Sequence, residues 1–284
     1  DDEPFALDAL AAYNTKTQLL ETASLATNDD ELRAKLQAEA ERMQRSGDLP
    51  LGSFGEQLMD ELIDPLHAQL HAWLQLRATL CVEPIAPVAL EYEAAGVLLE
   101  TWLGGVYAEQ SSPDALVAPV WVTGEIMRDN GKKQHWKRLL KPWFQHVLLH
   151  AAGLRATSEI YAETGCLRLL PLEQELAQKQ LEHWLLGWLK GMCEPLPLAY
   201  ETAMAWLLAA DQPDKAAKSA AEAYEGGYQR TGERDNERVL QRQFPSFEQL
   251  SADGRFEELA QDFYALMLEH SYEYVTYAEM ESMV

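Results

Sequence analysis

The sequence predicts an α+β fold, in which helices flank a small mixed sheet. Between residues 5 and 80, apolar residues recur at three- and four-residue spacing, which is typical of one face of a helix. From about residue 88 the spacing changes to the alternation of strands, and helical spacing returns after residue 172. At 284 residues the chain is long enough to bury a sizeable core, and length alone allows one or two domains.

Acidic residues dominate the charge of the chain. It contains 46 Asp and Glu against 23 Lys and Arg, which gives a net charge of −23 at pH 7. Because phosphate contacts need cations, this balance argues against a broad DNA-binding face. A local basic patch remains compatible with it, since net charge says little about one part of a surface.

Other features of the composition predict the compartment. The sequence contains no apolar run of about 18 residues, so we expect no membrane-spanning helix. The chain begins at Asp1 without Met or a signal-like segment, which is typical of a piece of a longer protein. The cysteines lack CxxC spacing and predict reduced thiols in the cytoplasm, not disulfides or a zinc site. They are Cys81, Cys166 and Cys193.

The N-terminal part, about residues 1–85, is predicted to be helical. The side chain of Asn28 or Asp29 can accept the orphan amide hydrogens at the start of a second helix. Gly47 suits the end of that helix, because a left-handed conformation has a low cost only without a Cβ. The expected helices cover residues 5–26, 29–46 and 53–80.

The α/β core is expected at about residues 86–195. Asn130-Gly131 is a strong hairpin signal because both residues tolerate positive φ. Pro142 suits the first turn of the helix that follows this hairpin and ends at Gly153, since an amide hydrogen is not needed at that position. The expected strands cover 88–94, 121–128 and 132–137, a second hairpin covers 158–169, and a further helix covers 172–192.

The C-terminal part, about residues 196–284, is predicted to be helical and irregular. The segment 226–254 is rich in Gly, Arg, Asn and Pro, which favours loops. The expected helices cover 198–210, 213–225 and 255–269.

The irregular C-terminal segment and the residues just before it are also candidates for partner contacts. Tyr and Arg are favoured at the desolvated centres of protein interfaces. Alternatively, Tyr224 packs beneath its own loop. The candidate partner anchors are Tyr224, Tyr228 and Arg230.

One short segment concentrates positive charge. Residues 128–141 hold six of the 23 cationic residues against a single acid, Asp129. One interpretation is a solvated strand–turn–helix surface. The other is a contact with nucleic acid or an acidic partner, since cations hold phosphates and indoles stack on bases. The DNA-contact candidates are Arg128, Lys132, Lys133, Trp136, Lys137, Arg138 and Lys141.

Two histidine pairs have a spacing that suits zinc ligands on a helix: His67 with His71, and His146 with His150. Neither pair has the Glu that follows the first His in the zinc-protease pattern, so we expect structural histidines and no metal. The sequence also lacks the Gly-x-x-x-x-Gly-Lys-Ser/Thr phosphate loop and the Gly-x-Ser-x-Gly nucleophile turn. No cofactor is therefore expected in this chain.

Residues 119–145 resemble the core of metal-dependent nucleases of the restriction-endonuclease type. In those enzymes one strand ends on Asp, and the next carries Asp-x-Lys before a helix. Met127 stands at the first acid position, and His135 at the second, followed by Lys137. Mg²⁺ demands oxygen ligands, which a thioether and an imidazole do not offer. Glu125 with Lys137 is a candidate residual pair, and we expect a nuclease-like domain that does not cut DNA.

Six local signatures are similar to the C-terminal region of the RecC family, the gamma subunits of bacterial exodeoxyribonuclease V. Their order and spacing carry the resemblance, which runs from the first residue to about position 240. The signatures are Asp1-Asp2-Glu3-Pro4-Phe5, Gly47-Asp48-Leu49-Pro50, Val122-Thr123-Gly124, Trp143-Phe144-x-His146, Ala223-Tyr224-Glu225-Gly226 and Arg230-x-Gly232-Glu233.

This resemblance implies a RecB-nuclease-like fold without catalytic activity, in a subunit that works with RecB and RecD. It implies a scaffold that guides the strands of double-stranded and forked DNA during double-strand-break repair by homologous recombination. Glu56 stands where the active nucleases have a His on the first helix. Gln145 retains the first residue of the family's Gln-x-x-x-Tyr helix motif, and Leu149 replaces the Tyr.

Two other functions stay open at the level of sequence. One is a metal-dependent nuclease with a rearranged site, and the other is a protein-interaction domain that does not contact DNA. Carboxylates converging near Lys137 would favour the nuclease. A continuous basic and aromatic ridge from Arg128 to Trp143 would favour the DNA-guiding role. A different alignment with the family pattern places residues 101–104 on the first strand, and it also lacks the acid.

Overall fold

In a computed structural model of the chain, a five-stranded mixed sheet organises the fold. Helices pack on both faces of this sheet, which confirms the predicted α+β class. In the described part of the chain, no helix is both long and apolar enough to cross a membrane. The structure describes residues 7–49, 52–128, 133–227, 230–270 and 272–282.

The helices differ widely in length, from one turn to five. Within the described residues they are α1 (Ala9–Ala23), α2 (Asp29–Ser46), α3 (Ser53–Ile63), α4 (His67–Thr79), α5 (Trp136–Ala151), α6 (Gln174–Cys193), α7 (Tyr200–Leu207), α8 (Pro213–Glu225), α9 (Glu233–Asn236), α10 (Arg238–Gln243), α11 (Phe247–Leu250), α12 (Arg255–Glu269) and α13 (Tyr277–Ser282).

In the described parts of the chain, the strands form one main sheet and three small hairpins. They are β1 (Val88–Ala94), β2 (Val97–Leu103), β3 (Tyr107–Ala108), β4 (Leu116–Trp121), β5 (Met127–Arg128), β6 (Lys133–Gln134), β7 (Ala156–Tyr161), β8 (Gly165–Leu169), β9 (Gly226–Gly227), β10 (Arg230–Thr231) and β11 (Tyr272–Thr276).

The main sheet has the strand order β11-β8-β7-β4-β3. Among the strands that the structure describes, only β4 and β7 are parallel, with Leu116 opposite Ala156 and Trp121 opposite Tyr161. The chain between them carries the β5–β6 hairpin and α5, as a parallel pair requires a crossover connection. The strands β1 and β2 pair separately, as a two-stranded antiparallel hairpin.

The two faces of the sheet carry different helices. On one face, Val117, Tyr161 and Cys166 pack in a cluster with residues of α1 to α4. On the other, Ile160 and Leu167 pack with α5 and α6. Successive residues of a strand point to opposite faces, so the apolar run in β7 and β8 supplies both clusters.

The N-terminal helices confirm the predicted caps. The Asn28 side chain accepts a hydrogen bond from the amide of Glu31 at 2.9 Å, and Gly47 ends α2 with φ +81°. The predicted helix over 53–80 is interrupted by a 3-10 turn at Asp64–Leu66, which separates α3 from α4.

The segment 121–137 departs from prediction. The strand β4 already ends at Trp121, because Gly124 turns the chain with φ +90°. Only two residues on each side pair in the β5–β6 hairpin, and the predicted turn between them lies outside the described residues. The helix α5 begins at Trp136, so Lys137 is helical and Pro142 lies inside the helix.

The C-terminal part is more ordered than the sequence indicated. The segment 226–254 contains the short helices α9 to α11, and the chain returns to the main sheet as β11, which was not predicted. Here Tyr224 is fully buried, and its hydroxyl donates a hydrogen bond to the carbonyl of Phe244 at 2.6 Å. Tyr224 therefore packs beneath its own loop, and its prediction as a partner anchor is wrong.

Candidate nucleic-acid interface

The N-terminal half of α5 faces α1 across a groove of about 380 Å³. Both walls carry polar side chains, and the floor is formed by the end of β4 and the turn that follows it. The lining residues include Tyr13, Thr17 and Glu21 from α1, Thr123 from the turn, and Lys137, Arg138 and Lys141 from α5.

Two polar contacts fix α1 as one wall of this groove. Lys16 Nζ lies 2.8 Å from Glu163 Oε1, with both side chains mostly buried. The hydroxyls of Thr17 and Thr123 are 2.8 Å apart. Lys16 is therefore neutralised within the fold, and the wall is held against the turn after β4.

A second cavity, of about 580 Å³, continues the groove along α5. The two cavities share Glu21, Trp121 and Lys141, so they form one continuous depression, here named the α1–α5 groove. In the second cavity, which the end of β2 also lines, Phe144 is 43% exposed. An exposed aromatic ring beside cationic side chains is typical of surfaces on which the bases of single strands stack.

The cationic side chains of the groove differ in their contacts with the rest of the protein. Arg138 Nη1 donates to the carbonyl of Glu125 at 2.7 Å, and the guanidinium lies against Gly124. Lys137 and Lys141 are exposed one helical turn apart, which places them on the same face of α5. In the described part of the chain neither lysine forms a salt bridge, so both charges are available to a phosphate.

The remaining DNA-contact candidates are located only in part. Trp136 is half-buried and packs against the apolar cluster of α5 and α6. Lys132 lies outside the described residues, and only the backbone is described for Arg128 and Lys133. DNA contact by the basic segment thus stays a prediction, now centred on the exposed face of α5.

The degenerate nuclease positions do not converge. Met127 is 7% exposed and packs in the apolar cluster with Ile126 and Leu139. Glu125 is exposed, and the backbone amide of His135 donates to the carbonyl of Ile126 at 2.6 Å. Met127, predicted to stand at the first acid position, is therefore buried among apolar side chains.

Two other positions from the nuclease comparison lie apart from Met127. Gln145 is exposed and lines the second cavity together with Leu149. Glu56 is exposed on α3, a helix that contributes no described residue to the groove. Within the described residues, no three His, Cys, Asp or Glu side chains come together as a group that could hold a metal ion.

Three histidines meet beside the sheet, and the sequence indicated only two of them. The rings of His146 and His150 lie 4.2 Å apart, and His270, from the end of α12, lies 5.2 Å from His146. His146 Nδ1 is 2.8 Å from Ser158 Oγ, and His270 Nε2 donates to the carbonyl of Leu170 at 2.7 Å. Burial lowers the pKa of His146 to about 2 and also lowers the pKa of His150 and His270.

The neutral histidine cluster is part of the core, as expected for His146 and His150. By contrast, His67 and His71 are exposed on α4, where they line a shallow cavity of about 450 Å³ with α2. The partner-contact candidate Tyr228 lies outside the described residues, and only the backbone of Arg230 is described, in β10.

Comparison with known proteins identifies relatives of this chain. Residues 1–211 match the family model for the RecC C-terminal domain. Over 215 residues the chain is 28% identical to RecBCD enzyme subunit RecC of Escherichia coli (strain K12). That alignment covers 73% of this chain and 16% of the relative, so the chain spans about a sixth of the relative's length.

Proposed function

The chain belongs to the RecC C-terminal domain family, and from this premise we propose that it is a noncatalytic module of a RecBCD-type helicase–nuclease. In this proposal the module acts as a scaffold and guides DNA strands during double-strand-break repair by homologous recombination. Its partners are the RecB and RecD subunits and, within the complex, double-stranded and forked DNA.

The burial of Met127 is the observation that carries the noncatalytic assignment. A hard cation that activates water needs oxygen ligands on adjacent strands. Met127 instead contributes a thioether to the apolar cluster that supports α5. A rearranged site that used Glu125 would lie at the surface of the protein, because that side chain is exposed.

A nuclease-like ancestry is consistent with the central sheet. The parallel pair of β4 and β7, joined through α5, supplies the strand–helix–strand unit expected beside a nuclease-type site. We propose that this unit corresponds to the RecB-nuclease-like core that the sequence resemblance implies.

The α1–α5 groove supports the DNA-guiding part of the proposal. It combines the exposed lysines Lys137 and Lys141 with the exposed ring of Phe144. The chain as a whole carries a net charge of −23, which repels phosphates elsewhere and favours entry at this groove. The groove is therefore the surface on which a DNA strand is best accommodated.

A charge-reversal experiment tests this role. Lys137→Glu with Lys141→Glu should weaken binding of a forked DNA and reduce the salt slope of log affinity by about 0.7–0.9 for each lost phosphate contact. Fluorescence anisotropy at several salt concentrations measures both quantities. The matched control is Lys190→Glu with Lys215→Glu, which makes the same charge change at exposed positions far along the sequence.

The outcomes separate the candidate functions. Weaker binding in the groove variant alone supports DNA guiding. Equal affinity and salt slope in wild type, groove variant and control would show that the lysines are a solvated surface, as in a protein-interaction domain that does not contact DNA.

A further inference from the structure

The β1–β2 hairpin presents one face to the protein and one to solvent. Alternate residues of its inner face, such as Leu90 and Leu99, pack into the apolar cluster of α5 and α6. On the same inner face, the Tyr92 hydroxyl donates to the carbonyl of Gln178 on α6 at 3.0 Å. The opposite face, here named the outer hairpin face, is exposed throughout and consists of Ala89, Glu91, Glu93, Leu98, Glu100 and Trp102.

Two large apolar side chains lie on the outer hairpin face. Trp102 is 74% exposed and stands opposite Ala89 across the strands. Leu98, on the same strand, is 55% exposed. Tryptophan is the residue type most enriched at the energetic centres of protein interfaces, because it buries much area with few rotatable bonds.

The glutamates on the same face are close to one another and form no salt bridge among the described residues. Glu91 and Glu100 stand directly opposite each other in the hairpin register. Like charges in that position destabilise a strand pair, and a two-stranded hairpin is only marginally stable by itself. Among the described residues, no cation forms a salt bridge with Glu91, Glu93 or Glu100. Lysine or arginine from another molecule would relieve this repulsion.

We propose that the outer hairpin face is a docking surface for another protein subunit, one that presents Lys or Arg side chains around an apolar patch. The proposal rests on the proposed function, because the partner is sought among the RecB and RecD subunits. Charge complementarity selects a protein over a nucleic acid here. The three carboxylates surrounding Trp102 and Leu98 repel phosphates and attract cationic side chains.

Binding of the full chain to purified RecB and RecD from the same organism tests the surface. The variant Glu91→Lys, Glu93→Lys, Glu100→Lys should weaken binding to one of the subunits tenfold or more, and Trp102→Ala should do the same. The wild-type affinity for that subunit should fall as salt is raised, because screening weakens charge pairs at an interface. The control variant Asp60→Lys, Asp211→Lys, Glu248→Lys reverses three exposed acids elsewhere and should bind within twofold of wild type.

A folding control keeps the test decisive. If the Lys variant melts at a lower temperature than wild type, Glu91→Gln with Glu100→Gln replaces it, since removal of like charges should leave the hairpin at least as stable. That variant should still weaken subunit binding severalfold.

The remaining outcomes overturn the proposal. Equal binding of both subunits by wild type and hairpin variants would refute this surface and leave the proposed function intact. No binding of either subunit by wild type would refute both. Trp102→Ala that weakens binding of a single-stranded oligothymidine, with subunit binding unchanged, would assign the face to nucleic acid.

Discussion

The guanidinium of Arg138 covers Gly124, and its Nη1 donates a hydrogen bond of 2.7 Å to the carbonyl of Glu125. This contact joins the first turns of α5 to the turn that ends β4. It also means that Arg138, although it lines the groove, already has a hydrogen-bond partner within the protein. Glycine suits this position because its φ is +90° and because a Cβ would displace the guanidinium of Arg138.

Gly124→Ala should therefore destabilise the chain. Residue 124 has φ +90°, which disfavours any side chain, and the added Cβ displaces Arg138. We expect a loss of about 1–3 kcal/mol in the free energy of unfolding, measured by denaturant titration. The control is Gly254→Ala, which has a similar φ of +77° but open space around the Cβ.

The comparison of the two glycines separates strain from packing. Gly254→Ala should lower the free energy of unfolding only because alanine disfavours the positive φ, by on the order of 1 kcal/mol. Combining Gly124→Ala with Arg138→Ala should be less damaging than the sum of the single changes, because the clash is gone. Additive losses would show that Arg138 does not depend on Gly124.

Tyr224→Ala should lower the melting temperature of the chain. Its ring is fully buried in a cluster with Phe256 and Leu250, so truncation leaves a cavity that typically costs about 3–5 kcal/mol. Tyr224→Phe removes only the hydrogen bond to Phe244 and should cost about 1–2 kcal/mol. An unchanged melting temperature for Tyr224→Ala would return Tyr224 to the candidates for partner contact.

The sequence predicted correctly those features that depend only on neighbouring residues. Asn28 and Gly47 mark the ends of α2 because capping depends on neighbouring residues alone. The strand predicted over 121–128 overlaps β4 only at Trp121, because Val122 and Ile126 continue a strand-like alternation after β4 has ended. What ends the strand is the turn at Gly124, which a tertiary contact with Arg138 stabilises.

The candidate site was predictable in composition but not in arrangement. Lys137 and Lys141 were identified from charge, yet their common face requires the helix to begin at Trp136. The opposite wall comes from α1, more than a hundred residues earlier in the chain, and residues 101–105 of the second cavity come from the end of a separate hairpin and the turn after it. Contacts between residues so far apart in the chain produce no periodic pattern in the sequence. His270 joins the histidine cluster in the same way, through the long return of the chain to the sheet.

Position 127 should tolerate an apolar residue and reject an acid. Met127→Leu should change the free energy of unfolding by less than about 1.5 kcal/mol, because the cluster keeps its volume. Met127→Asp places a carboxylate in that apolar cluster and should cost about 2–4 kcal/mol. Thermal melting of both variants tests this. Similar stability for the two would indicate that position 127 is open to solvent, in contradiction to its burial.

The chain should not cleave single-stranded or duplex DNA when Mg²⁺ or Mn²⁺ is added, because Met127 carries a thioether at the position where the proposed noncatalytic assignment expects the first metal ligand to be lost. Gel assays with end-labelled DNA measure this, and Glu125→Ala serves as the comparison. Metal-stimulated cleavage that disappears in Glu125→Ala would establish a rearranged nuclease site and contradict the noncatalytic assignment.

The histidine cluster should make the stability of the chain fall in mild acid. Burial lowers the pKa of His146 to about 2 in the folded state, whereas the unfolded chain binds the proton near the ordinary pKa of 6.5. The unfolded state therefore binds more protons below pH 6.5, and the stability that is complete above this pH is lost as the pH falls towards 2. His150 and His270 have lowered pKa values for the same reason and add to the effect.

His146 alone should reduce the free energy of unfolding by about 2 kcal/mol between pH 7 and pH 5. Denaturant titrations at half-unit intervals of pH measure the slope, and His146→Leu should make it shallower. The matched control is His71→Leu, at an exposed position on α4, which should leave the slope of the wild type unchanged. A slope that is the same in wild type and His146→Leu would mean that His146 takes up its proton within the folded chain. The cluster would then be accessible to water, in contradiction to its burial between α5 and the sheet.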